Sequence, residues 1–173
     1  TLEDQIARRM EFLKDHSNEE LAQKYLGLVN RVRDCEARFS TETKVTEEVA
    51  KYYFKVLAHK DQWEVARLYA DPKFRQTLKE TFDGKLKLSF HLGGWPFGKK
   101  IEGSEKIIKR ETGEWVMLAF KLLAKFRWVR GSALDPFRNS PESRAARALI
   151  SQYENDVETI ISQLDANKLE PAK

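Results

Sequence analysis

The sequence predicts a mainly α-helical domain with a small two-stranded β-hairpin and a long C-terminal helix. Apolar residues recur every three or four positions through most of residues 2–82 and 115–164, the period of a helix with one inward face. One stretch, residues 85–92, alternates apolar and polar residues instead. Helix-start signatures stand where the helical periods begin: Ser17 with Glu20, Asp61 with Glu64, Asp71-Pro72 and Ser140-Pro141.

Taken in order, Leu2, Ile6, Met10 and Leu13 define a first helix. A second opens at Ser17 and carries Leu21, Tyr25, Leu28, Val32, Cys35 and Phe39 on a narrow stripe suited to an antiparallel helical hairpin. Residues 40–44 are polar and read as a connection. A third helix begins near Thr46, with Glu47 and Glu48 at the positive end of its dipole and Val49, Tyr52, Tyr53, Val56 and Leu57 on its apolar face. Two short helices follow at about 61–70 and 72–82, stopped by Asp83-Gly84. Leu86, Leu88, Phe90 and Leu92 then mark a half-buried strand, with residues 105–110 as its returning partner after a Gly93–Gly98 turn. Trp115 through Val129 is apolar on most sides and reads as a central helix with Leu122 and Phe126 buried, ending at Gly131. The final helix, from Pro141, turns Leu149, Tyr153, Val157, Ile160 and Leu164 inward. No repeat and no composition shift marks a boundary, so residues 1–173 read as one domain.

Composition excludes several classes. The chain is 41% hydrophobic and 11% aromatic, enough to build a core and too apolar for a disordered chain. A single Cys excludes an intramolecular disulfide, and no Cys cluster exists to hold zinc or an iron–sulfur centre. No signal peptide is visible, and the most apolar window is too short and too often interrupted by Lys and Arg to span a membrane. The expectation is a cytoplasmic protein without membrane association. Thr1 in place of Met and the polar end suggest a piece cut from a longer protein, although Met removal would also expose the Thr.

Net charge is +4, and it is uneven. Residues 99–130 hold nine basic side chains (Lys99, Lys100, Lys106, Lys109, Arg110, Lys121, Lys125, Arg127 and Arg130) against four acidic ones. This region could grip phosphates, but no nucleic-acid-binding motif accompanies it, and docking onto an acidic protein face is the stronger reading. His16, His59 and His91 lie in different elements with no second ligand at metal spacing, so no metal site is expected. Cys35 sits on the inward stripe of its helix and reads as core rather than nucleophile. Residues 93–98 lack the ending of a phosphate-binding loop. Lys60, Asp61, Glu64 and Arg67 alternate in charge at helical spacing, which suits a cap with an ion pair, or an ionic latch against another domain. An unrecognised active site around His59, Glu64 and His91 is the remaining enzymatic reading.

The run from Ala50 to Tyr69, with Lys-Asp-Gln-Trp-Glu-Val-Ala-Arg-Leu-Tyr at its end, resembles the C-terminal domain of bacterial indolepyruvate ferredoxin oxidoreductases, of the 2-oxoacid ferredoxin oxidoreductase family. The resemblance continues through Leu88–Leu92, Lys109–Glu111, Ala119–Ala124 and Arg130–Phe137 into the Glu142–Tyr153 helix start, and includes Ile6–Leu13 near the beginning. It implies a parent enzyme that uses thiamine diphosphate, Mg and [4Fe-4S] clusters to decarboxylate aryl pyruvates oxidatively to acyl-CoA, with ferredoxin and CoA as partners. For this chain it implies a non-catalytic accessory domain without catalytic residues or a cofactor or metal site of its own. Its partners would be the catalytic domains of the same enzyme, on the same chain or a partner subunit. Lys60, Asp61, Glu64, Arg67, Tyr69, His91, Arg110 and Arg130 are the candidate interdomain or interaction residues. The alternative is an independent module that binds nucleic acid or an acidic protein through residues 99–130.

Overall fold

Side chains that cap backbone N–H groups set most of the helix starts. In a computed structural model, which describes residues 1–93, 99–100 and 107–166, the helices are α1 (Leu2–His16), α2 (Glu19–Glu36), α3 (Lys44–Leu57), α4 (Gln62–Ala70), α5 (Pro72–Thr81), α6 (Val116–Lys125) and α7 (Pro141–Ala166). A 3-10 turn covers Arg127–Val129, and the strands are β1 (Phe90–Leu92), β2 (Lys99–Lys100), β3 (Ile107–Ile108) and β4 (Arg110–Thr112). The chain is mainly α, with a small antiparallel sheet and a long last helix, as its periodicity predicts. Contacts divide it into two compact units, residues 1–59 with 141–173 and residues 60–140.

In the first unit, α1, α2, α3 and α7 enclose Ile6, Leu13, Tyr25, Leu28, Val29, Val32, Tyr53, Leu57 and Val157. The α2 stripe is buried from Tyr25 to Cys35 as expected, but the helix ends at Glu36 and Phe39 is exposed beyond it. Asn18, not Ser17, caps α2, accepting from the Leu21 amide at 2.8 Å. α3 begins two residues earlier than expected because its cap comes from elsewhere. Thr43 makes no side-chain cap bond. Instead the buried Glu36 carboxylate accepts from the amides of Val45 and Thr46 at 2.9 and 2.8 Å and from the Thr46 hydroxyl at 2.6 Å.

Rings of Tyr25, Tyr53 and Tyr153 stack in series across this core, 6.0 and 5.5 Å apart. Their hydroxyls find partners: Tyr25 donates to the Ala50 carbonyl at 3.1 Å, and Tyr53 to the Glu154 carboxylate at 2.6 Å. Burial first, then the neighbouring Glu154 carboxylate, pushes the Tyr53 phenol far above its ordinary value, so it remains a donor. The inward line of α7 is Ile150, Tyr153, Val157 and Ile161. Leu149 and Ile160 are exposed, a correction to the expected stripe, which was offset by one residue at both ends. The Leu164 side chain lies outside the described residues.

The second unit has a smaller core: Ala66, Phe90, Val116, Met117 and Phe120, with Tyr69, Phe74, Leu88 and Leu123 against it. Tyr69 is its hub, stacked on Phe120 at 5.3 Å and edge-on to Phe74 and Phe90 at 5.1 Å each. Asp71 accepts from the Lys73 amide at 2.9 Å, with Pro72 in the first turn of α5 as its sequence predicts. The strand is shorter than its alternation suggests. Only Phe90–Leu92 enters a ladder, paired antiparallel with Arg110–Thr112, while Leu86 is exposed. The returning partner is thus displaced toward the C-terminus, and Ile107–Ile108 pairs with Lys99–Lys100 instead. The turn expected at Gly93–Gly98 lies outside the described residues from Gly94 onward.

α6 departs furthest from expectation. It ends at Lys125 and is apolar all round, yet Val116, Met117, Phe120 and Leu123 alone face the core. Leu122 is 59% exposed and Phe126 46% exposed, so neither is the buried core residue expected of a central helix. Hydrophobicity on every side identifies a helix that wants covering, but a single face suffices to dock it.

Candidate functional site

Four of the predicted interaction residues build one ion-paired corner at the start of α4. Asp61 caps the helix, accepting from the Glu64 amide at 2.9 Å. Its other oxygen lies 2.9 Å from the Arg130 guanidinium, and the two side chains are only 13% and 10% exposed. Glu64 is buried, and its carboxylate does not reach back to Asp61 as a capping box would. It is held by Arg67 through two bonds of 2.8 Å each. A forked guanidinium against a carboxylate fixes both groups, so this geometry favours rigidity over proton exchange.

A third carboxylate, missed in the sequence reading as a structural centre, completes the corner. Asp135 accepts from the Trp63 indole N–H at 3.1 Å, from the Gly131 amide at 2.7 Å and from the Phe137 amide at 2.9 Å. Gly131 has φ of +76°, a conformation that side chains rarely adopt, and it turns the chain directly after Arg130. The signal was the Asp135-Pro136 pair, since Asp before Pro commonly organises its own turn.

The other predicted residues are dispersed. Lys60 is exposed, Tyr69 belongs to the aromatic core, and His91 and Arg110 are exposed on β1 and β4, one register step apart. His59 and His91, offered with Glu64 as an enzymatic set, fall in different units. His59 instead meets His16, the two rings edge-to-face at 6.1 Å, a pairing that separate positions in sequence concealed. Among the described residues no group of three or more His, Cys, Asp or Glu side chains is placed to hold a metal.

Two apolar features remain. In the first unit an apolar cavity of about 340 Å³ is lined by Val32, Cys35, Phe39, Val45, Val157 and Ile160 among others. Glu36 also borders it, but its carboxylate is engaged by α3. The hydrogen bonds hold that carboxylate below its ordinary value although burial opposes them. In the second unit the outer face of α6 and the turn after it expose Trp115, Leu118, Leu122, Phe126 and Trp128 beside Lys121 and Lys125. No helix among the described residues is long and apolar enough to cross a membrane.

No curated protein and no solved structure is matched. Residues 2–173 match a family whose description reads "Family of unknown function (DUF6537)". Because the match spans nearly the whole chain, both units included, the chain belongs to that family.

Proposed function

We propose that this chain is the non-catalytic C-terminal domain of an indolepyruvate-type 2-oxoacid ferredoxin oxidoreductase and that it acts by docking. The reading rests on the sequence run Ala50–Tyr69 and its continuation into Arg130–Phe137. The observation that supports an accessory role is the ion-paired corner. Three charged residues of that run, Asp61, Glu64 and Arg67, are engaged with one another's helix or with Arg130, which leaves them to position structure rather than to bind substrate.

The parent enzyme's cofactors do not fit the donors of this chain. A [4Fe-4S] cluster takes four thiolates, and the one Cys here is buried on α2. Thiamine diphosphate needs a divalent cation held by grouped oxygen ligands. The carboxylates of the second unit's corner are already bound by arginines and backbone amides. A colourless, folded chain without activity on indolepyruvate is therefore expected. A visible spectrum and a calorimetric titration of thiamine diphosphate with Mg²⁺ test this. Iron–thiolate absorption, or saturable thiamine binding in the micromolar range, overturns it. The parentage is tested separately: the reading frame, or a neighbouring one, should encode a 2-oxoacid oxidoreductase body that co-purifies with this chain.

The second reading, an independent binding module, draws on the exposed Lys109, Arg110, Lys121 and Lys125. Nucleic-acid binding through them would fall steeply with salt. A gel shift that resolves one tight, sequence-specific complex would favour it over the accessory role.

A further inference from the structure

The outer face of α6 combines two properties that one partner chemistry satisfies together. Leu118 and Leu122 stand four residues apart and are 74% and 59% exposed, forming an apolar ridge along the helix. Trp115 and Phe126 extend it at either end, and Trp128 stands in the turn beyond. Lys121 and Lys125 flank the ridge on the same side and are exposed. From Trp115 to Leu134 the chain has no Asp or Glu at all, so nothing local in sequence neutralises these cations. The opposite side of α6 is anchored by Val116, Met117 and Phe120 in the core, which presents the ridge on a rigid element.

We infer that this face is the docking surface for an acidic amphipathic helix of a partner protein. The inference deepens the docking role proposed above and rests on it. An i, i+4 ridge fits the groove between the side-chain rows of a second helix, and carboxylates at that helix's margins meet Lys121 and Lys125. A second copy of this chain is the poorer occupant. Antiparallel two-fold pairing would set the Lys121 and Lys125 edge of one copy beside the same edge of the other. A phosphate backbone is also poorer, because it would desolvate against Leu118 and Leu122 at the centre of the face.

The test uses a fluorescein-labelled helical peptide with leucines on one face and glutamates along both margins, followed by anisotropy against the 173-residue chain. The expected result is saturable binding that weakens with salt. Leu122→Glu and, separately, Lys121→Glu with Lys125→Glu should each weaken it roughly tenfold or more, the size of a single lost hot-spot contact. The lysine double variant should in turn bind a matching peptide with lysines at the margins, which the wild-type chain rejects. Far-UV circular dichroism should be unchanged in all variants, since the substituted side chains are exposed. No binding of the glutamate peptide, or binding indifferent to these substitutions, overturns the inference. So does preferential binding to phosphatidylserine-containing vesicles or to oligo(dT), or a dimer that Leu122→Glu dissociates. Failure of the peptide test removes this surface and leaves the accessory role to the thiamine titration and the co-purification.

Discussion

Residues 1–59 with 141–166 and residues 60–140 both bury apolar surface, but they use their helices differently. In the first unit each helix turns a stripe inward, and three polar side chains caught inside find partners there: Glu36 at the start of α3, Tyr25 at a backbone carbonyl, Tyr53 at Glu154. In the second unit the core is an aromatic knot around Tyr69, and charged side chains do much of the joining: Asp61 with Arg130, Glu64 with Arg67. There the most apolar helix of the described residues leaves Leu118 and Leu122 exposed. The contrast separates a unit joined mainly by buried apolar stripes from one joined by ion pairs, with Leu118 and Leu122 of α6 left exposed.

The largest effect that would break this contrast is at Asp61. Replacing it by Ala removes the carboxylate that pairs with the mostly buried Arg130 and removes the α4 cap. The pair costs about 3–5 kcal/mol when broken, and the cap about 1 more. A denaturant midpoint that moves by less than about 1 kcal/mol in free energy would show that the second unit does not depend on its ions. Leu57→Ala in the first unit should cost about 2–5 kcal/mol, because Leu57 is fully enclosed and its loss leaves a cavity. A much smaller cost would mean that the first unit repacks easily.

Glu36→Gln sharpens the comparison through pH. The variant should lose about 1–3 kcal/mol at neutral pH, as charge-assisted bonds to α3 weaken. In the wild type the Glu36 carboxyl lies below its ordinary value of 4.5 in the folded state. Its contribution is therefore complete above that value and disappears as pH falls through the lower, folded one. The gap between wild type and variant should close on acidification, and a gap that persists at low pH would show that Glu36 acts by packing alone. The smallest effect is at Leu122→Ala, expected within about 0.5 kcal/mol. A core-sized loss there would mean that α6 is covered after all.

What the sequence revealed was local. The caps at Asp61 and Asp71 are written in neighbouring residues and are found where they were expected. The helical stripes were legible too, although α7 was read one position off at Leu149 and Ile160, since a stripe in a long helix drifts relative to any fixed spacing. What joins distant residues was hidden. Asp61 meets Arg130, Glu36 caps a helix on the far side of a connection, and His16 meets His59, and no periodicity encodes those meetings. The exposed face of α6 was hidden for a different reason. Hydrophobicity measures the tendency of a helix to be covered, and it is silent on whether the same chain or another does the covering.

The placement of one thiol and four indoles has a practical consequence. Cys35 is the only cysteine, and it is buried on α2 in the first unit, whereas Trp63, Trp95, Trp115 and Trp128 all belong to residues 60–140. The unmodified chain thus carries a separate native reporter for each half. Thiol labelling under increasing urea follows the opening of the helices around Cys35, and tryptophan emission follows the other half in the same tube. Coincident transitions would mark one cooperative folding unit, and staggered ones would give the order in which the halves come apart.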